Sequence, residues 1–184
     1  MSHRQERFRE LYSAHVDAVL GYSLRRVGRP EDAGDIVSET FLVAWRRLAD
    51  VPEGEGARLW LYGVARRTLA NHRRGEGRRT ALGERLRHDL SSTVPDHAFA
   101  VTEQETVRAA LGRLADRDRE ILELAAWEEL EPREIAEVLG ISAVAVRSRL
   151  SRSRARLRLV LGNDPPPAGH LTSTYSRLVP EEAP

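Results

Sequence analysis

Arg147, Arg149, Arg152, Arg154, Arg156 and Arg158 follow one another with no acid among them, on a segment whose Val146, Leu150 and Leu157 share a helical face. Such a helix has one side to bury and a cationic remainder that its own sequence leaves unneutralised. The chemistry open to it is non-covalent. Guanidinium forks pair with guanine edges in a major groove that admits one α-helix, and phosphates attract the remaining charges. A solvated Arg-rich helix is the simpler alternative. It leaves the preceding residues unexplained. Pro132 suits a first helical position, Ile135, Ala136 and Leu139 repeat at helical spacing, and Gly140 stops the turn. Ser142 is then a natural N-cap for the cationic helix. Helix, short glycine-containing turn and second helix are the sequence form of a helix-turn-helix.

A second cluster lies upstream. Residues 57–74 read as a helix with Leu61, Val64, Ala65 and Leu69 buried and with Trp60, Tyr62, Arg66, Arg67, Asn71, His72, Arg73 and Arg74 around them. Aromatics beside guanidiniums, next to the breaker-rich loop 50–56, supply π-faces for unstacked bases and cations for their backbone. The competing reading makes Trp60 and Tyr62 ordinary core residues. That loop and Gly75-Glu76-Gly77 each place a carboxylate between glycines, which does not suit a phosphate cradle.

Further helices must position these groups. Residues 5–27 carry an apolar stripe of Phe8, Leu11, Tyr12, Val16, Val19 and Leu20, with Gly28 as the stop. From Pro30 a second helix repeats Ala33, Ile36, Val37, Phe41, Ala44, Trp45 and Leu48, with Asp32, Asp35 and Glu39 on another side. That acidic side is either solvated or a docking surface. Regular periodicity weakens from residue 75, although some helix persists around 81–90. It resumes where Thr102-Glu103-Gln104-Glu105 matches a capping box. A helix opening at Asp116, with Ile121, Leu122, Leu124 and Ala125 on its apolar side, leads into the helix-turn-helix.

The expectation is an all-α chain of two small helical domains, 1–75 and 101–162, joined by a flexible linker at 76–100 and followed by a mobile tail at 163–184. Composition narrows the function. Net charge is only +1, so affinity for nucleic acid has to come from uneven distribution, as in residues 58–87, where arginines far outnumber the acids Glu76 and Glu84. Without cysteine there is no disulfide framework, thiolate zinc site or thiol switch. His3, His15, His72, His88, His97 and His170 show no metal-ligand spacing, and no nucleophile-base pairing or phosphate loop appears. The expectation is a cytoplasmic protein with no catalytic residue, no metal and no cofactor. No apolar run approaches a membrane span.

Three motifs in series carry a resemblance. They are Asp32-Ala33-Gly34-Asp35-Ile36-Val37-Ser38-Glu39-Thr40-Phe41-Leu42-Val43-Ala44-Trp45, then Trp60-Leu61-Tyr62-Gly63-Val64-Ala65-Arg66-Arg67, then residues 134–142 with Val146-Arg147-Ser148-Arg149-Leu150-Ser151-Arg152. Together they resemble bacterial RNA polymerase sigma factors of the extracytoplasmic-function subfamily, across residues 4–161. The resemblance implies that the first domain binds core RNA polymerase through Asp32, Asp35, Ile36, Glu39 and Thr40. It implies minus-10 promoter contacts from Trp60, Arg66, Arg67, Asn71, Arg73 and Arg74, with a flipped base captured at loop 50–56. Arg147, Ser148, Arg149, Ser151 and Arg152 would enter the major groove of the minus-35 element, and the linker would follow the RNA channel. An anti-sigma factor is a further partner left open. Gly34, Ser38, Arg67 and Ala145 depart from the residues common in the family.

A third party must set the distance between the domains. About 26 linker residues average roughly 25 to 30 Å as a relaxed coil, whereas DNA sites two helical turns apart are separated by about 70 Å. The alternative is a helix-turn-helix regulator that binds duplex DNA without polymerase. It explains the second domain equally well and gives the aromatic and basic third helix no task.

Overall fold

The computed structural model describes the backbone of residues 3–87 and 103–162, and the side chains of 3–75 and 106–162. Its chain separates into two compact units, Met1–Pro95 and Asp96–Pro184. Every regular element among the described residues is helical. The Thr102 cap, the end of the linker and the tail expected at 163–184 lie outside the described residues.

In the first unit, α1 spans His3–Leu24, α2 Pro30–Arg46 and α3 Glu55–Arg87, with a single 3-10 turn at Leu48–Asp50 between α2 and α3. The three helices pack pairwise on one another. Val19 and Tyr22 of α1, Ile36 and Ala44 of α2, and Leu61 and Ala65 of α3 are buried between them. The stripes foreseen on α2 and α3 are therefore the packed faces. Pro30 sits at the start of α2, where its missing N–H costs nothing, and Glu31 and Asp32 meet the positive end of the helix dipole.

Two boundaries differ from the sequence expectation. α1 stops at Leu24, not Val27: the Arg26 N–H reaches back only three residues, to the Ser23 carbonyl at 2.9 Å, and its guanidinium lies 3.7 Å from the centre of the Tyr22 ring and donates to the Tyr22 carbonyl at 3.0 Å. α3 runs to Arg87 through Gly75 and Gly77, well past its expected end at Arg74. Each glycine costs a helix interior about 1 kcal/mol, and the Arg, Leu, Ala and Glu residues around them are good helix formers. Helix therefore occupies the first part of what was read as linker.

In the second unit, α4 (Glu103–Gly112), α5 (Asp116–Ala126) and α6 (Pro132–Leu139) all pack against or beside α7 (Ala143–Gly162). Leu111, Ile121, Leu122, Leu124, Ile135, Val146 and Leu157 form the core. The turn between α6 and α7 closes as its residues dictate. Gly140 takes a left-handed φ of 66°, a conformation open to it because it has no Cβ. The Ile141 N–H donates back to the Ala136 carbonyl at 3.1 Å, and the Ser142 hydroxyl accepts the Ala145 N–H at 3.2 Å. At the other end of α6, the Glu134 carboxylate accepts the Glu131 N–H at 2.7 Å.

Candidate nucleic-acid interface

α7 rests on the rest of its unit through one line of residues. Val146, Leu150, Ser153 and Leu157 are all buried, at the four- and three-residue steps that keep one helix face together. Ser153 is the residue the periodicity missed, since its hydroxyl fits no apolar pattern. It donates to the Asp118 carboxylate of α5 at 2.7 Å, and the Arg156 guanidinium donates to the same carboxylate. A helix that is purely cationic in its own sequence is thus anchored by an acid from another element. Arg154 is half-buried, and burial followed by the nearby Arg158 charge pulls its pKa down.

Of the residues expected in the major groove, Arg147, Ser148, Ser151 and Arg152 are exposed, while Arg149 is half-buried at the margin. The Arg152 side chain folds back on its own helix, with Nε donating to the Ser148 carbonyl at 3.3 Å. Opposite the buried line, the outermost positions are Val144, Ser148, Ser151, Ala155 and Leu159. Val144 and Leu159, 67% and 70% exposed, were not singled out by the sequence reading.

In the first unit the six expected minus-10 residues do not share one face. α3 is a continuous helix, so Trp60, Arg67, Asn71 and Arg74 line up along it, whereas Arg66 and Arg73 stand on a separate flank. Trp60 and Arg66 are half-buried; Arg67, Asn71, Arg73 and Arg74 are exposed. Arg73 donates to the Arg26 carbonyl at 3.0 Å, and Arg74 to the Asn71 side-chain oxygen. Tyr62 is no platform for a base. It is buried and stacked on Tyr22, with ring centres 5.1 Å apart and planes 22° apart.

The five residues expected to dock polymerase divide in the same way. Asp32, Ile36 and Thr40 lie one helical turn apart and all are buried. Asp32 accepts two hydrogen bonds from Arg29, at 3.1 and 2.9 Å, and lies 3.5 Å from Nε2 of His72 on α3. Ile36 belongs to the core, and the Thr40 hydroxyl donates to the Ile36 carbonyl at 2.7 Å. Asp35 and Glu39 are the exposed pair. The division has a plain cause: the packing of α2 against both α1 and α3 turns the 32–36–40 line inward.

Beside the turn that follows α2, an open groove has a floor of Leu11, Leu48, Val51 and Ala57. Its rim carries Glu6, Glu10, Glu53 and Glu55 with His15 and Arg7. An apolar floor under carboxylates suits a neutral aromatic ring better than a phosphate. Gly54, at φ 61°, makes the sharp turn into α3. Among the described residues no cluster of His, Cys, Asp and Glu could hold a metal ion, and no helix is long and apolar enough to cross a membrane.

Comparison with known proteins follows the same division. The family model described as Sigma-70 region 2 matches residues 11–79, and that described as Sigma-70, region 4 matches residues 104–157. The RNA polymerase sigma factor YlaC of Bacillus subtilis is 31% identical over 162 residues, covering 86% of this chain and 93% of that protein. The ECF RNA polymerase sigma factor SigL of Mycobacterium tuberculosis is 32% identical over 158 residues, covering 83% and 88%. Among solved structures, CnrH in complex with the cytosolic domain of CnrY is 28% identical, with a TM-score of 0.61 and coverage of 88% and 91%.

Proposed function

This chain belongs to the extracytoplasmic-function branch of the sigma-70 family of RNA polymerase sigma factors, and we propose that its two units divide promoter recognition between them. The observation that carries the division is the pairing, in one chain, of a region 2 match over α1–α3 with a region 4 match ending on an exposed arginine helix. A sigma factor binds core polymerase and directs it to promoters; the chain itself makes and breaks no covalent bond in doing so.

The first unit docks the polymerase through the exposed Asp35 and Glu39 of α2, with Asp32, Ile36 and Thr40 holding that helix in place from beneath. Trp60, Arg67, Asn71 and Arg74 face the minus-10 element, and the groove beside Val51 takes an unstacked base. Arg66 and Arg73 flank that face and meet the DNA backbone. In the second unit Arg147, Ser148, Ser151 and Arg152 read the minus-35 major groove, with Arg149 at its edge. Residues 76–100 bridge the two in the polymerase, which sets their spacing in the cytoplasm. An anti-sigma factor would act by covering the docking and DNA faces.

The test is reconstitution. The purified chain should co-elute with core RNA polymerase and support initiation at its own promoters, while giving no footprint on duplex DNA without the enzyme. A symmetric footprint by the chain alone would instead identify a duplex-binding regulator.

A further inference from the structure

The outermost line of α7 is short-chained except at its ends. Ser148, Ser151 and Ala155 form its middle, and beside them stands the exposed Arg152, whose side chain folds back to the Ser148 carbonyl. Arg147 and Arg158 rise on one flank and Arg149 and Arg156 on the other, in position to straddle a groove. Arg156 is already tied to Asp118, which holds that flank down.

Val144 heads this line. It is the second residue after the Ser142 cap, one turn ahead of Arg147 and Ser148, and 67% exposed. The fold gains little from it there. A β-branched side chain at a solvent-facing helical position is a weaker helix former than alanine, and Val144 is no part of the buried core. A recognition helix meets base edges with its N-terminal residues. Leu159, the other exposed aliphatic residue of the line, lies about 22 Å further along the axis and falls outside that zone.

We propose that Val144 is a specificity-determining residue of the minus-35 contact, selecting a thymine by apolar contact with its 5-methyl group. In the major groove the methyl group belongs to thymine alone among the four bases. Valine has no donor or acceptor in its side chain, so it gives nothing to the amino group that cytosine presents at the same edge. The neighbouring Arg147 and Ser148 read polar edges, and Val144 adds an apolar reading one turn earlier. The inference rests on the sigma-factor reading above.

The experiment uses holoenzyme assembled from the full chain and core polymerase. A promoter library randomised across the minus-35 element is selected for initiation, and each thymine in the selected motif is then replaced singly by uracil, which removes only the methyl group. One thymine should show about a fourfold loss of binding on this replacement, the effect of one buried methyl-sized group. Val144→Ala should lower that response to less than twofold, and Val144→Thr, which keeps one methyl group, should retain part of it. A selected motif with no uracil-sensitive thymine, or an unchanged response in Val144→Ala, overturns the contact and leaves the sigma-factor reading standing. Failure to select any motif, with no co-elution, overturns both.

Discussion

The Ser153 hydroxyl of α7 donates to the Asp118 carboxylate of α5 at 2.7 Å, across 35 residues of chain. Ser153 is fully buried, so this bond is the only polar anchor inside the apolar seam formed by Val146, Leu150 and Leu157 among the described hydrogen bonds of α7. The arginine helix α7 is therefore fixed in rotation by a residue buried on the side away from its exposed face.

Removing that anchor should loosen the second unit. Ser153→Ala is expected to cost about 1 kcal/mol and Asp118→Ala about 1 to 3 kcal/mol, because the latter strands a buried hydroxyl. Arg156, which is mostly exposed, adds little to the figure. Urea unfolding followed by circular dichroism measures both. Losses below 0.3 kcal/mol would make the contact incidental.

Acid should undo the same contact. Burial alone would raise the Asp118 pKa, but hydrogen bonds from Ser153 and Arg156 and the charges of Arg156 and Arg152 outweigh it and hold the group below 3.8. A carboxyl with a lowered folded pKa contributes stability above its unfolded pKa and loses it as pH falls through the folded value. The stability difference between the wild type and Asp118→Asn is expected to be constant from pH 7 to about 5 and to shrink below about pH 4. Thermal melts across that range decide it, and a gap independent of pH would contradict the assignment.

Along α2, core and surface should separate cleanly. Ile36→Ala is expected to cost about 2 to 5 kcal/mol of stability through the cavity it leaves. Glu39→Arg, at an exposed position, should change stability by no more than about 0.5 kcal/mol and yet weaken co-elution with core polymerase. Melting curves and gel filtration, run on the same two variants, are sufficient. Unimpaired co-elution of Glu39→Arg would move the docking surface elsewhere.

On α7, arginines in the groove and arginines at its edge should differ in kind. Arg147→Ala and Arg152→Ala are expected to cost about 1 to 3 kcal/mol on a cognate promoter and to relax base preference. Arg158→Ala should weaken binding on cognate and scrambled promoters alike and reduce the salt dependence. Initiation assays over a salt series distinguish the two patterns.

Much of this protein is written locally. Pro30, Pro132, Gly140 and Ser142 mark helix ends because each acts on backbone within a turn of itself, and the structure uses them where the sequence places them. The apolar stripes of α2 and α7, and the two helical units they imply, come from the same short-range periodicity. α3 escaped because two glycines weigh heavily in a local reading, while the strong helix formers around them act over the whole segment.

Rotation of each helix about its axis is another matter. The sequence reading set Asp32 beside Asp35 and Glu39 on a polar side of α2, whereas in the folded helix Asp32, Ile36 and Thr40 form the first line and Asp35 and Glu39 a second. α2 has neighbours on two sides, and only their packing turns the first line toward the core and brings His72 to Asp32. Likewise the six arginines of α7 look equivalent in the sequence. Asp118, distant in the chain and adjacent in space, is what commits Arg156 to the fold and leaves Arg147 and Arg152 facing outward.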